Sequence, residues 1–244
     1  MAHKTLISGT AYSVTGGREL IGGTGYGCKA GKTLIGGTAF TVPFSKGIPL
    51  NTITPGAILY LNESGSPVPF YIAKHEYESG LNGAGRTLLV RKDCYDMRMF
   101  GYSGTYAGGS LDKWISETYV ALLDSGVRTE MEKTKFYSNE ATIQRAAFQL
   151  SATEYGFSGG GLWTVEGTAL PIASTLRVAY RNGSKVVQWT RTQRGASYIC
   201  IIGGDGSLSV NGSFKSSCGS RPAFTLPGDL VVTANADGTY SFAA

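Results

Sequence analysis

The chain has 244 residues, of which 42% are hydrophobic and only 16% charged, and it carries 35 glycines and 14 tyrosines; this balance is too apolar for disorder and too glycine-rich for a helical bundle. The net charge of +5 comes from 22 lysines and arginines against 17 acidic residues without any run of like charge, which argues against a nucleic-acid partner. No apolar stretch approaches the roughly 18 residues of a membrane span, and the N-terminus has no signal-peptide core, so the expectation is a soluble, β-rich protein made in a cytoplasm.

A threefold repeat with a period of fourteen opens the chain, running Lys4–Val14, Arg18–Cys28 and Lys32–Val42. Each unit places a Leu-Ile pair, a glycine-containing turn and an alternating pair such as Tyr12 and Val14, which reads as two short strands. One unit cannot bury its apolar face alone, so the three must stack on each other or on another chain. Residues 1–45 are therefore expected to form a β-repeat docking arm, the alternative being a subdomain folded against its own body. Gly31-Lys32-Thr33 looks like the end of a phosphate-binding loop, but that spacing demands glycine where Tyr26 stands.

Residues 46–56, in a stretch rich in proline, read as a linker, and residues 57–244 as the globular body. Ile58–Leu61 and Val68–Ala73 predict a hairpin with a longer loop around Asn62–Ser66, and Thr87–Arg91 a further strand. Ser110 is placed to cap a helix whose apolar residues Leu111, Trp114, Ile115, Tyr119, Leu122 and Leu123 recur at three- and four-residue steps, with Ser125-Gly126 to stop it. This stripe assigns Trp114 to the core. Ala147–Leu150 reads as a strand leading into a short helix, with Ser151 and Glu154 at capping-box spacing. Glycines 159–161 mark a hinge or a tight loop, and Asn182-Gly183 a hairpin turn. Leu230–Thr233 and Thr239–Phe242 around Asp237-Gly238 predict a closing hairpin. Asn62, Asn182 and Asn211 each begin an Asn-x-Ser tripeptide, read as turn chemistry.

The stretch from Val186 to Pro227 combines an alternating start (Val187, Trp189), two arginines (Arg191, Arg194), a β-rich run (Tyr198–Ile202), a Gly-Asp-Gly turn, a second alternating run (Leu208, Val210) and Arg221-Pro222-Ala223-Phe224. It predicts a small meandering sheet with polar connections of the kind that carry recognition. The order Trp-x-Arg, aromatic strand, Asp-Gly, Ser-Arg-Pro-Ala resembles the C-terminal half of a domain common in phages and Gram-positive bacteria. That domain belongs to the C-type-lectin-like class, as do the variable proteins of diversity-generating retroelements. Ala147–Glu154 and Leu111–Leu123 also match its landmarks, so the resemblance spans roughly residues 57 to 233. It implies a shared framework at Trp189, Arg191, Gly206, Arg221, Pro222 and Ala223. The N-terminal repeat resembles repeats of phage structural proteins, where such a segment fixes the molecule to the particle.

The chemistry available points to binding and not to catalysis. His75 is the only interior imidazole and reads as a solvated strand histidine with no serine elbow nearby; the carboxylates Glu76, Glu78, Asp93 and Asp96 would have to meet in space to form a hydrolytic pair. The cysteines Cys28, Cys94, Cys200 and Cys218 lack metal-type spacing. Cys200 and Cys218 stand where adjacent strands would bring them face to face, although a reducing cytoplasm favours free thiols. Lectins of the resembled class usually bind calcium through clustered acidic and amide groups, but Asp205 and Asn211 offer no acidic pair, so no metal and no cofactor is expected. The ligand-binding candidates are Arg191, Gln193, Arg194, Tyr198, Asn211 and Lys215, by planar hydrogen bonding and stacking; the alternative is that they are solvated loop residues.

The expected architecture is α+β and β-rich, a C-type-lectin-like domain with an N-terminal β-repeat arm. The expected role is a bacteriophage virion structural protein, oligomeric, that docks on other virion proteins through residues 1–45 and binds a bacterial surface glycan or protein. The alternative is a capsid or collar decoration protein with a purely structural role.

Overall fold

The computed structural model describes residues 47–214 and 218–242 and, of the N-terminal segment, the backbone of six strands. The chain forms two compact units, residues 1–47 and 48–244. In the first, β1 (His3–Ile7) pairs antiparallel with β2 (Thr10–Val14), β3 (Arg18–Ile21) with β4 (Thr24–Gly27), and β5 (Gly31–Ile35) with β6 (Thr38–Val42). Equivalent pairs recur in all three hairpins (Leu6↔Ala11, Leu20↔Gly25, Leu34↔Ala39), so each fourteen-residue repeat is one hairpin.

The second unit is a β-rich α+β body. Its first strands are β7 (Ile48–Pro49), β8 (Ile58–Glu63), β9 (Ser66–Lys74), β10 (Arg86–Arg91) and β11 (Asp96–Arg98). After short helical turns come β12 (Thr134–Ser138), β13 (Ala141–Arg145), β14 (Ala147–Gln149), β15 (Ala179–Arg181) and β16 (Ser184–Val186). The chain then runs through β17 (Gln188–Gly195), β18 (Tyr198–Ile202), β19 (Leu208–Gly212), β20 (Cys218–Ser220), β21 (Pro222–Pro227), β22 (Val231–Ala234) and β23 (Tyr240–Ser241). Eight of these form one sheet in the order β14-β21-β10-β9-β8-β23-β22-β7, and five form another in the order β11-β20-β17-β18-β19. The pairs β12-β13 and β15-β16 are separate ribbons.

Turn chemistry decides several connections. Asn182 and Gly183 both have positive φ (49° and 77°) between β15 and β16, the mirror-image turn that matches the twist of paired strands. Ser64 and Gly65 (53° and 76°) make the same tight turn between β8 and β9. The loop expected around Asn62–Ser66 is therefore shorter than predicted, because the strands continue through Glu63 and Ser66. Of the three Asn-x-Ser tripeptides, Asn182 occupies a turn, whereas Asn62 and Asn211 are strand residues.

The predicted amphipathic segment is helical from Ser110 to Leu122, as an α turn, a π turn from Trp114 to Tyr119, and a 3-10 turn. Leu111, Ile115, Tyr119 and Leu123 are buried as the stripe requires. Three details differ from expectation. Gly109, and not Ser110, occupies the N-cap; Ser125 and Gly126 open the next helix (Ser125–Glu130) instead of only stopping this one; and Trp114 is half-buried at the rim of the core, under the Arg98 guanidinium at 3.4 Å from its ring centre. The Tyr119 hydroxyl donates to Glu63 Oε2 at 2.6 Å, and Glu63 in turn takes a forked pair of bonds from Arg91 at 3.0 and 3.1 Å.

The segment predicted as a linker is largely built into the body. Ile48 pairs with Val232 and Pro49 with Val231, Leu50 donates its N–H to the Leu230 carbonyl at 2.8 Å, and Leu50 and Ile53 are core residues. Leu50 and Ile53, set between Pro49 and Pro55, are removed from water in the core, and that burial outweighs the loop-like composition. Cys200 and Cys218 do not lie on neighbouring strands, since β17 runs between β18 and β20; the Cys218 sulfur accepts from the Asn211 amide at 3.4 Å.

Candidate ligand-binding site

The middle of β17 is where the sequence placed its binding residues, and the structure divides them. Arg191 is buried with 1% of its surface exposed, which corrects its assignment to an outer recognition face. Its Nε donates to the Tyr137 carbonyl at 2.8 Å, and Nη1 donates to the Gln149 carbonyl at 3.0 Å and to Glu154 Oε2 at 2.6 Å. The guanidinium also lies 4.8 Å from the Phe136 ring centre and 5.8 Å from that of Phe148, and these two rings stack on each other at 4.3 Å. A buried arginine needs a paired carboxylate and acceptors for its donors, and residues distant in sequence supply them. Burial alone would lower the Arg191 pKa; the adjoining Glu154 carboxylate, together with Tyr77 and Glu166, offsets this and holds it above the ordinary value.

Glu154 is the hub opposite. The spacing to Ser151 does form a capping box: Ser151 N donates to Glu154 Oε2 at 2.8 Å and Glu154 N to Ser151 Oγ at 3.1 Å. However, the segment that follows is a series of turns and not a helix. The second carboxylate oxygen accepts from the Tyr77 hydroxyl at 2.5 Å, and burial, reinforced by Glu154, pushes the Tyr77 pKa well above its usual value. Glu166, on a loop, accepts from Oγ1 of Thr192, the strand residue next to Arg191, at 2.5 Å and from the Asn139 N–H. Its burial raises its pKa against the opposing pull of Arg191.

Beside this cluster is a cleft of about 230 Å³, walled by Thr105–Ala107, by the Ser138–Ala141 turn between β12 and β13, and by Arg191 and Gln193 of β17. The two β17 residues are two positions apart on one strand, and they are the predicted candidates that the fold brings together. Tyr106 is itself fixed, its hydroxyl accepting from the Gln149 N–H at 2.9 Å. One guanidinium nitrogen, Arg191 Nη2, is buried without a hydrogen-bond partner among the described residues.

The other candidates lie on the flank of β17–β19. Arg194 is half-buried with its guanidinium 5.9 Å from the Trp163 ring centre. Tyr198, 57% exposed, faces Gly212 across the β18–β19 ladder. Asn211 is half-buried, its amide on the Cys218 sulfur and its carbonyl oxygen accepting from the Gly212 N–H at 2.9 Å. Lys215 lies outside the described residues. Exposed Val210 and Phe214 accompany Tyr198; a Cβ at Gly212 would come within 3.1 Å of the Phe214 ring, so glycine there lets the ring lie against the strand.

Other sequence candidates are committed elsewhere. His75 is half-buried in the bend after β9, its Nε2 2.7 Å from the Ile53 carbonyl and Nδ1 2.9 Å from Thr87 Oγ1, so it is a bonded packing residue and not a solvated strand histidine. Glu76 accepts from the Gly85 N–H, Asp96 from Arg98 and Ser220, and Glu78 lies 4.0 Å from Lys74. Glu154, Glu166 and Tyr106 were not singled out as site residues; only the capping-box spacing drew attention to Glu154, and it spoke of a helix start. Arg221, expected in the framework, is fully buried and donates to the carbonyls of Arg91, Lys92 and Leu176.

Comparison with curated proteins and with solved structures gives no match. Comparison with protein families matches residues 84–228 to a domain of unknown function, DUF6273. That span holds every residue lining the cleft and leaves out the N-terminal repeats. On this match, which covers more than half of its length, the chain belongs to the DUF6273 family.

Proposed function

We propose that the chain is a bacteriophage virion protein in which residues 1–45 dock on the particle and the body, a C-type-lectin-like domain, is displayed to bind the host surface without a metal. The observation that carries this reading is the flank of the five-stranded sheet. Tyr198, Val210 and Phe214 are 57%, 47% and 57% exposed around the edge strand β19, with Arg194 and Gln193 at the adjoining end of β17. Exposed aromatic and aliphatic groups rimmed by planar hydrogen-bonding side chains are the usual makings of a recognition surface. The strands beneath are held by Trp189 and the Ile199–Ile202 core residues, so that surface is presented on a rigid base. The three-hairpin repeat and the sequence resemblance to phage domains support the particle-bound setting.

The test is adsorption of phage particles carrying Gln193→Ala, Arg194→Ala and Tyr198→Ala together, compared with otherwise identical particles. These three side chains are half-buried or exposed, so the variant is expected to assemble normally and adsorb less, with chelators having little effect. Unchanged adsorption would favour the decoration-protein alternative, and strong chelator sensitivity would point to a cation site.

A further inference from the structure

We infer that β19 is the seat of a second copy of this chain, joined edge to edge and antiparallel with Val210 on the two-fold axis. This goes beyond the host-binding reading and does not depend on it. The starting point is the direction of the main chain. Gly203 N donates to the Ser207 carbonyl at 2.7 Å and Ser213 N to the Ser197 carbonyl at 2.9 Å, just beyond the two ends of the β18–β19 ladder. Bonded and non-bonded pairs alternate along an antiparallel ladder, so the main-chain groups of Ser209 and Asn211 face β18 while those of Leu208, Val210 and Gly212 face outward. β19 is the last strand of its sheet. Of these outward N–H groups, only that of Gly212 finds an acceptor among the described residues, Asn211 Oδ1 at 2.9 Å; Leu208 and Val210 present theirs to an incoming strand.

The other sheet edges are guarded and this one is not. β7 is two residues long and contains Pro49, β14 is three residues long and wholly buried, and β11 carries the ion pair of Asp96 and Arg98. Short strands, proline and charge are the means by which edges avoid pairing, whereas β19 has five residues, Leu-Ser-Val-Asn-Gly, with neither proline nor charge. The strand is also its own complement. With Val210 on the axis, its N–H and carbonyl meet those of Val210 of the partner subunit, and Leu208 lies opposite Gly212 of the partner subunit. Alternation puts Leu208, Val210, Gly212 and Tyr198 on one face, and on that face the Phe214 ring fills the space over Gly212, 3.1 Å from where a Cβ would stand. Leu208 then reaches Phe214 of the partner subunit at both ends of the pair, with the two Val210 side chains between them. This apolar stripe matches itself under a two-fold, and no like charges meet. A foreign strand would use only the main-chain groups; the side-chain match is to β19 itself. Five paired residues make a small interface, of the weak class, and the joined sheet sets the two Tyr198 flanks side by side.

The measurement is sedimentation of the full chain from about 10 μM to 1 mM, a range suited to a weak interface, together with amide hydrogen exchange read by NMR on the isotope-labelled chain. The expected result is a dimer that fills with concentration, the Leu208 and Val210 amides exchanging more slowly as it does. Val210→Pro removes an outward N–H without touching a bond to β18, and Val210→Lys guards the edge with charge; each should weaken the dimer by about tenfold or more and return the Leu208 amide to fast exchange. If Val210→Pro does not fold, Val210→Lys, at a position 47% exposed, decides. A chain that stays monomeric throughout overturns the assignment without depending on any variant. So do Leu208 and Val210 amides whose exchange ignores concentration, even where the repeats of residues 1–45 hold chains together, and so does a dimer of full strength in the variants. If the dimer fails while the adsorption defect of the triple replacement holds, the edge pairing falls and the host-binding reading stands; a dimer with unchanged adsorption leaves the pairing standing and removes the attachment role.

Discussion

Arg191 shows how one side chain can hold several segments at once: it reaches the carbonyl of Tyr137, the carbonyl of Gln149 and the carboxylate of Glu154. Arg191→Ala would leave Glu154 charged and buried beside Tyr77, and breaking one side of a buried pair costs about 3–5 kcal/mol. The expected outcome is a loss of that size in denaturant unfolding, whereas Tyr198→Ala, at an exposed position, should stay within about 0.5 kcal/mol of the parent. Equal, small losses for both would return Arg191 to the recognition surface. Glu78 gives a pH-dependent counterpart. Burial, then the nearby Glu154 charge, raise its pKa, against opposing pulls from Lys74 and Arg191. A carboxyl that holds its proton more tightly in the folded state than in the unfolded one makes no difference below the ordinary carboxylate range, and it lowers stability as pH rises from there through the raised folded value. Glu78→Gln should therefore raise the melting temperature at neutral pH, with the gain shrinking towards zero in acid. A gain that persists undiminished at low pH would mean the charge is not its source.

At the scale of elements, what was legible in the sequence was what local physics decides. Asn182-Gly183 announced its hairpin because both positions need positive φ, and the Leu111–Leu123 stripe announced a helix because its spacing puts those side chains on one face. No atom lies within 4 Å of where a Cβ on Gly183 would stand, so Gly183→Ala meets only backbone strain. It should cost roughly 1–2 kcal/mol, read as a lower unfolding midpoint with an unchanged denaturant slope; a neutral substitution would show that the turn relaxes to another type. What was not legible depended on partners far along the chain. Arg191 and Glu154 are 37 residues apart, and nothing local tells a buried arginine from a solvated one. The same holds for residues 48–56, whose prolines suggested a linker while Leu50 and Ile53 were drawn into a core whose other members follow them in sequence, as far as Val232. At the candidate cleft, two of the residues named from the sequence, Arg191 and Gln193, are among those that line it, whereas the remaining walls, from the Thr105–Ala107 loop and the β12–β13 turn, carried no signal in the sequence.

At the scale of the whole molecule, the body carries its own core, from Leu50 to Val232, while each N-terminal repeat is a two-stranded hairpin of a kind that is marginal by itself. A chain beginning at residue 48 is thus expected to melt as the full chain does and to be absent from purified particles. Incorporation of the shortened chain at normal levels would remove the docking role from residues 1–45.

The seating of Ile48–Ile53 in the body also decides where a tug on the repeats would be felt. A particle held by residues 1–45 and stuck to a cell through its displayed domain would be stretched along this chain, and tension arriving at residue 47 passes first into β7. That strand is two residues long, paired to β22 alone at the margin of the eight-stranded sheet, and followed at once by the plugged Leu50 side chain and the Leu50 and Asn51 N–H bonds to Leu230 and Gly228. Under load it would peel off first, releasing a few residues of slack as a mechanical fuse, while the strands around Trp189 beneath the proposed binding face remain whole.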